Sequence, residues 1–231
     1  MIEFETYIED KFNDKNVNVK EFFTQIIINF ANESLAFYDM WNEFPFIYSE
    51  KQVNSVLIPA IYKYTETIFL EQPFKKDKNK QRFLDILTKK DNNVYLIELK
   101  HSYQSKEEET TIATDDKWKK AIEQIKDLNK RFIEDIFETE PYTFYKVALL
   151  ISPTFISENS EHKILNMSAE EYNKKIFKEY LDGYKKEDNY QPNIVGVIKF
   201  NKFNDYVHKY NHGNEIYPFV SFIIKIEEIT Q

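Results

Sequence analysis

Residues 82–100, RFLDILTKKDNNVYLIELK, decide how the middle of the chain folds. The runs 82–88 (RFLDILT) and 94–100 (VYLIELK) are short, apolar and bounded by polar residues, which is strand patterning. Between them, KKDNN at 89–93 carries Asp91 and Asn92, residue types that tolerate left-handed backbone, so the segment predicts a β-hairpin. Side chains alternate along a strand, which puts Glu98 and Lys100 on one face and Leu99 on the other. A turn about Asp91–Asn92 sets Asp85 directly across from Glu98. Two facing carboxylates repel and weaken a ladder, and these lie among Leu84, Ile86, Ile97 and Leu99. A divalent cation removes the conflict, because hard ions such as Mg²⁺ take carboxylate, water and phosphate oxygens. Two acids and a lysine also suit phosphodiester hydrolysis, in which a metal activates water and both metal and lysine stabilise developing charge.

Outward from the hairpin, the first third reads helical. Val19, Phe22, Phe23, Ile26, Ile27 and Phe30 recur on one face of a 3.6-residue period, the helix continues over 31–41, and Pro45 marks a break. Ser49 and Gln52 have capping-box spacing and open a second helix with a stripe of Val53, Val56, Leu57, Ala60, Ile61 and Tyr64; Pro59 inside it predicts a kink or restart. Residues 101–115 read as a polar loop. Trp118, Ala121, Ile122, Ile125, Leu128 and Phe132 then make an amphipathic helix stopped by Pro141. The continuous apolar run 145–151 (YKVALLI) is the mark of a strand covered on both faces. Ser168 with Glu171 caps a further helix ending near Gly183, and 194–200 and 219–226 are strand candidates. Without repeat or linker, the expectation is a single α/β domain with an N-terminal helical layer over 1–48 and a C-terminal elaboration over 153–231.

Asp85, the hairpin and Glu98-Leu99-Lys100 together resemble the D…(D/E)xK signature of the PD-(D/E)XK nuclease superfamily. The surrounding order is similar too: a helix beginning SEKQVNSVL before the motif, a helix WKKAIEQI after it, then YKVALLI, over residues 49–152. Leu84 stands before Asp85 where the family often has proline. The resemblance implies an αβββαβ restriction-endonuclease-like core and Mg²⁺-dependent cleavage of nucleic acid, most often DNA, of restriction or phage-defence type, with Mn²⁺ as a substitute ion. It implies Asp85, Glu98, Leu99 and Glu50 as the metal set and Lys100 as an aid to water and phosphate. Glu50 is the best match to the family's extra helix acid, with Glu43 second, and Gln124 matches a glutamine on the following helix. An endonuclease cutting both strands of a duplex favours a homodimer. An unperturbed lysine near ~10.4 does not accept a proton at neutral pH, so orientation and charge stabilisation suit Lys100 better than general base. The alternative expectation is a nuclease-like fold without catalysis, serving as a protein- or nucleic-acid-binding module.

Composition narrows the partners. Aromatics are 16% of 231 residues, enough for a substantial core. A formal charge of −8 excludes a generally polybasic binder. Yet residues 75–131 hold 15 Lys+Arg against 11 Asp+Glu, so positive charge gathers around the motif. Lys117, Lys119 and Lys120 are the candidate phosphate contacts, and Tyr103 and Trp118 the candidate base-stacking residues. The absence of Cys removes thiol catalysis and Cys-based zinc sites and fits the cytoplasm. Acidic residues near the N-terminus and the short run 147–151 argue against membrane insertion. His208 and His212 lack the glutamate of a zincin helix and read as a loop or helix-end pair. His101 reads as a surface residue at a strand end, and Glu107-Glu108-Glu109 as a solvated loop or flap.

Overall fold

The protein is described by a computed structural model covering residues 3–12, 17–65, 67–77, 80–104, 110–128, 142–158, 161–211 and 213–229, without the side chains of 75–77 and 80. Strand β1 (Phe4–Asp10) precedes helix α1 (Val17–Trp41), a 3₁₀ turn at Pro45–Ile47 and helix α2 (Glu50–Thr65). Three strands follow: β2 (Ile68–Asp77), β3 (Lys80–Lys90) and β4 (Asn93–His101). Then come α3 (Ile112–Lys126), β5 (Thr143–Ser157), α4 (Ala169–Gly183), β6 (Ile194–Phe200), β7 (Val207–Tyr210) and β8 (Gly213–Ile229). The fold is α/β: one open mixed sheet in the order β1-β6-β8-β5-β4-β3-β2, with β7 added to β8. Among these described strands β4 and β5 run parallel and the other pairings are antiparallel, and an isolated parallel bridge joins Gln104 to Thr154.

Helices α1 and α2 cover one face and α3 and α4 the other, giving two cores separated by the sheet. Strand β5 shows why its sequence is continuously apolar: Val147, Leu149 and Ile151 enter the α1/α2 core, and Ala148 and Leu150 the α3/α4 core. Phe22 of α1 stacks on Tyr95 of β4 with ring centroids 3.7 Å apart. Gly196 lets α1 approach β6, since a Cβ there would lie 2.4 Å from Ile27 Cδ1.

The hairpin turns at Asp91 and Asn92, with Lys90 paired to Asn93 and Asp91 left-handed at φ 53°. Ser168 and Glu171 form the expected reciprocal capping box. Several expectations need correction. Ser49 meets Gln52 through their side chains, and α2 runs through Pro59 as one helix. The helix expected from Trp118 begins at Ile112, capped by the Thr111 hydroxyl; Phe132 and Pro141 lie outside the described residues. His208 lies in the short strand β7, while His212 and Glu107–Glu109 are outside the described residues. Strands β1 and β2 carried no expectation. Both are end strands of the sheet order, where one neighbour suffices and charged residues are tolerated, so the apolar alternation is diluted.

A kink in the β2–β3 pair places the residues discussed next. Leu70 pairs with Ile86 and Gln72 with Leu84, leaving Glu71 and Asp85 outside the ladder. Glu71 is left-handed, at φ 54°. Residues two apart on a regular strand share a face, yet Leu84 enters the α3/α4 core and Ile86 the α1/α2 core. The strand therefore changes face at Asp85. A left-handed backbone with a Cβ costs roughly 1–2 kcal/mol. Glu71→Gly is expected to stabilise the protein by up to about 1 kcal/mol after its larger unfolded-state entropy is counted, and Glu71→Val to destabilise it; urea midpoints of the two variants check this.

Candidate metal centre

At Asp85 the β3–β4 ladder opens. Main-chain pairing ends at Ile86–Ile97, one pair short of Asp85 and Glu98. The Asp85 carboxylate oxygen Oδ2 instead accepts the Leu99 N–H at 2.8 Å. The register is the one expected, but the two acids are not a ladder pair: the strands diverge there and a side chain replaces the main-chain acceptor.

Glu98 and Lys100 share a face of β4 and are buried, with 4% and 5% of their surface exposed. Lys100 Nζ lies 3.1 Å from Glu98 Oε1, 3.7 Å from Asp85 Oδ2 and 4.0 Å from Glu50 Oε1. It also donates to the Leu99 carbonyl at 2.6 Å. Three carboxylates thus surround one ammonium. Burial pushes the Glu98 carboxyl up from 4.5 to about 7, with the Asp85 charge adding to burial and Lys100 opposing it. Burial lowers the Lys100 pKa, but the charges of Glu98, Asp85 and Glu50 outweigh it and the net direction is upward.

Glu50, the first residue of α2, is presented by a clamp. His101 Nε2 bonds the Phe46 carbonyl at 2.8 Å, and the Tyr103 hydroxyl donates to the Ile47 carbonyl at 3.1 Å and the Tyr48 carbonyl at 2.5 Å. The residues just after Lys100 therefore hold the turn just before Glu50. His101 is buried, against expectation, because position 101 shares the inward face of Ile97 and Leu99. Desolvation lowers its pKa to about 4, so the ring is neutral and donates to Phe46. Glu43, the second helix-acid candidate, instead bonds the Tyr48 hydroxyl.

The basic candidates divide. Lys117, Lys120 and Gln124 form one stripe of α3 at i, i+3 and i+7. Lys117 acts electrostatically on His101. Lys120 and Gln124 line a cavity of about 290 Å³ with Arg82 of β3, which pairs with Asp127 at 2.5 Å. Gln124 Oε1 is buried there without a hydrogen-bond partner. Lys119 turns elsewhere, to Asp115 at 2.8 Å and over the Tyr184 ring. Trp118 is fully buried in the α3/α4 core, its indole N–H donating to the Tyr190 carbonyl, so it offers no stacking face. The Tyr103 hydroxyl is committed to the clamp. Arg82 and Tyr103 gained no such roles from the sequence, whose only hint is their nearness to Asp85 and Lys100.

Among the described residues, no three Asp, Glu, His or Cys side chains converge as a ready-made metal cage. The Lys100 ammonium holds the centre of the acidic cluster. The donor chemistry nevertheless fits a hard divalent cation: Asp85, Glu98, the Leu99 carbonyl and Glu50 offer oxygens alone, and a leucine can ligate only through its main chain. The chain matches no family model, no curated protein and no solved structure. No helix among the described residues is long and apolar enough to cross a membrane.

Because native Glu98 holds its proton more tightly than the unfolded chain does, its contribution to stability is fully present below about pH 4.5 and is lost as pH rises through about 7. Glu98→Gln is therefore expected to stabilise the metal-free protein at pH 8 by roughly 1–3 kcal/mol and to change it little at pH 5, measured as urea midpoints at the two pH values.

Proposed function

We propose that this chain is a metal-dependent nuclease that hydrolyses phosphodiester bonds, an endonuclease acting on DNA, with Mg²⁺ as its ion and Mn²⁺ as a substitute. The observation that carries the reading is the meeting of Asp85, Glu98 and Lys100, with Glu50 beside them, where a hairpin ladder opens. The order α2-β2-β3-β4-α3-β5, with β4 and β5 parallel, supports a restriction-endonuclease-like αβββαβ core. It also supplies as β2 the strand that the motif alone did not reveal. A cytoplasmic setting and a restriction or phage-defence role fit a chain without cysteine and a site of this kind.

When bound, the metal supplies an activated water and neutralises charge at the scissile phosphate. Asp85, Glu98, Glu50 and the Leu99 carbonyl are the groups that hold it. Lys100 keeps its proton, because the carboxylates around it favour the charged form; its role is to donate hydrogen bonds to phosphate oxygen, not to accept a proton. The clamp from His101 and Tyr103 holds Glu50 toward the cluster. Lys117 and Lys120 meet the backbone of the substrate, and Gln124 and Arg82 border the same path.

Supercoiled plasmid and single-stranded DNA incubated with Mg²⁺ or Mn²⁺ are expected to be cut, and EDTA to stop the cutting. Asp85→Ala and Glu98→Ala should each lower the rate by about 10²-fold or more; a folded Glu98→Ala protein cutting at the wild-type rate would contradict the assignment. Lys100→Ala should lower turnover while keeping metal binding. In a salt titration of DNA affinity, Lys117→Ala and Lys120→Ala should each reduce the slope by about 1, and Lys119→Ala should leave it unchanged.

A second reading rests on the Lys100 ammonium, which neutralises part of the cluster without any metal. In a binding module built on this fold, Asp85→Asn raises stability by removing repulsion and no preparation cuts nucleic acid.

A further inference from the structure

Each of the four residues assigned to the metal presents an oxygen to the Lys100 ammonium. Nζ donates to the Leu99 carbonyl at 2.6 Å and to Glu98 Oε1 at 3.1 Å, with Asp85 Oδ2 at 3.7 Å and Glu50 Oε1 at 4.0 Å. The Leu99 carbonyl explains why the side chain folds back on its own strand. The N–H and C=O of one residue in an antiparallel ladder face the same neighbour, and the Leu99 N–H is turned to Asp85 of β3. The Leu99 carbonyl therefore looks into the gap where β3–β4 pairing has ended. Leu99 is buried, so that carbonyl needs a donor, and the ammonium is the one that meets it.

In this position Lys100 cannot serve a phosphate. It is only 5% exposed, and its N–H donors are turned to the chain's own oxygens. A divalent ion drawn to the same oxygens meets a positive charge already on them, and like charges at contact range repel strongly away from bulk water. Lysine is suited to give way, because it carries a compact charge on a flexible four-carbon stem.

We infer that Lys100 is the chain's own placeholder for the metal: ion and ammonium compete for Glu98, Asp85, Glu50 and the Leu99 carbonyl, and metal binding expels the ammonium from the cluster. This rests on the metal-dependent reading above and adds regulation to it. Without an ion, the lysine holds the acids together and is withheld from substrate. Once expelled it needs another anion, and the substrate phosphate provides one. Metal and lysine thus enter service in a fixed order.

Two measurements on the full chain, both without nucleic acid, test this. In Mn²⁺ titrations followed by paramagnetic resonance, Lys100→Met, which keeps the bulk of the stem without its charge, is expected to bind the ion about tenfold or more tightly than wild type. In wild-type protein labelled with ¹⁵N-lysine, the Lys100 ammonium, identified by its loss in Lys100→Arg, is expected to give a slowly exchanging proton signal that disappears at saturating Mg²⁺. The second measurement does not depend on the folding of Lys100→Met, and it separates expulsion from mere repulsion between neighbouring charges. An ammonium signal that persists at saturating Mg²⁺, or equal or weaker Mn²⁺ binding by folded Lys100→Met, would overturn the inference and leave the metal centre standing. No Mn²⁺ binding by either protein would overturn both together.

Discussion

Where β3 leaves β4, a carboxylate oxygen of Asp85 takes the Leu99 N–H at 2.8 Å in place of a strand carbonyl. That substitution lets the hairpin open without leaving a buried donor unmatched. Opening one pair earlier would expose Ile86 and Ile97 to the gap, and opening one pair later would put the two acids in ladder register. Glu71 and Asp85, both outside the β2–β3 register, show that the neighbouring pair accommodates the same opening. The change of face along β3 follows from it, with Leu84 in one core and Ile86 in the other. So does the space in which Lys100 reaches Asp85 and Glu50.

Apart from this opening, the sheet around the cluster is apolar on both sides, which makes the cluster expensive to hold. Glu98 and Lys100 sit at positions where their own strand carries Val94 and Leu96 on the same face. Replacing such a buried ionic group by hydrophobic residues is often neutral or stabilising. The protein instead surrounds one ammonium with three carboxylates and lets Glu98 hold its proton to about pH 7. A site that takes up a cation would draw on the carboxylates around Lys100, of which Glu98 is buried and Asp85 and Glu50 stay partly exposed, with a clamp from His101 and Tyr103 behind the third acid.

Much of this was legible in the residues themselves. The hairpin, its turn and the joint position of Glu98 and Lys100 follow from alternation and turn chemistry, and YKVALLI declares a strand covered on both faces. What was missed has local causes. Strand β2 carries Pro73 and a left-handed Glu71, so no clean alternation survives. Strand β1 lies at the far edge with polar residues interleaved. His101 was misread because the strand was taken to end at Lys100; one more residue puts the ring on the face of Leu99, inside. Trp118 lies on the apolar stripe of α3 as its spacing predicts, but an aromatic near a basic run suits a base as well as a core, and the α4 neighbours decide for the core. The three lysines look alike in sequence, yet Lys117 and Lys120, three residues apart, share a side of α3 while Lys119 points to another side, where Asp115 captures it. The divergence of the two strands at Asp85 depends on a side chain replacing a backbone acceptor, which no periodicity records.

The most direct measurement is electron paramagnetic resonance of Mn²⁺ titrated with the protein at pH 8 and again at pH 6. The account predicts that the free-ion sextet falls to a plateau at one ion per chain, and that binding weakens at pH 6 as Glu98 takes its proton. A folded protein that leaves the free-ion signal undiminished at pH 8 would contradict it, and Lys100 would then be the only cation the three carboxylates are built to hold.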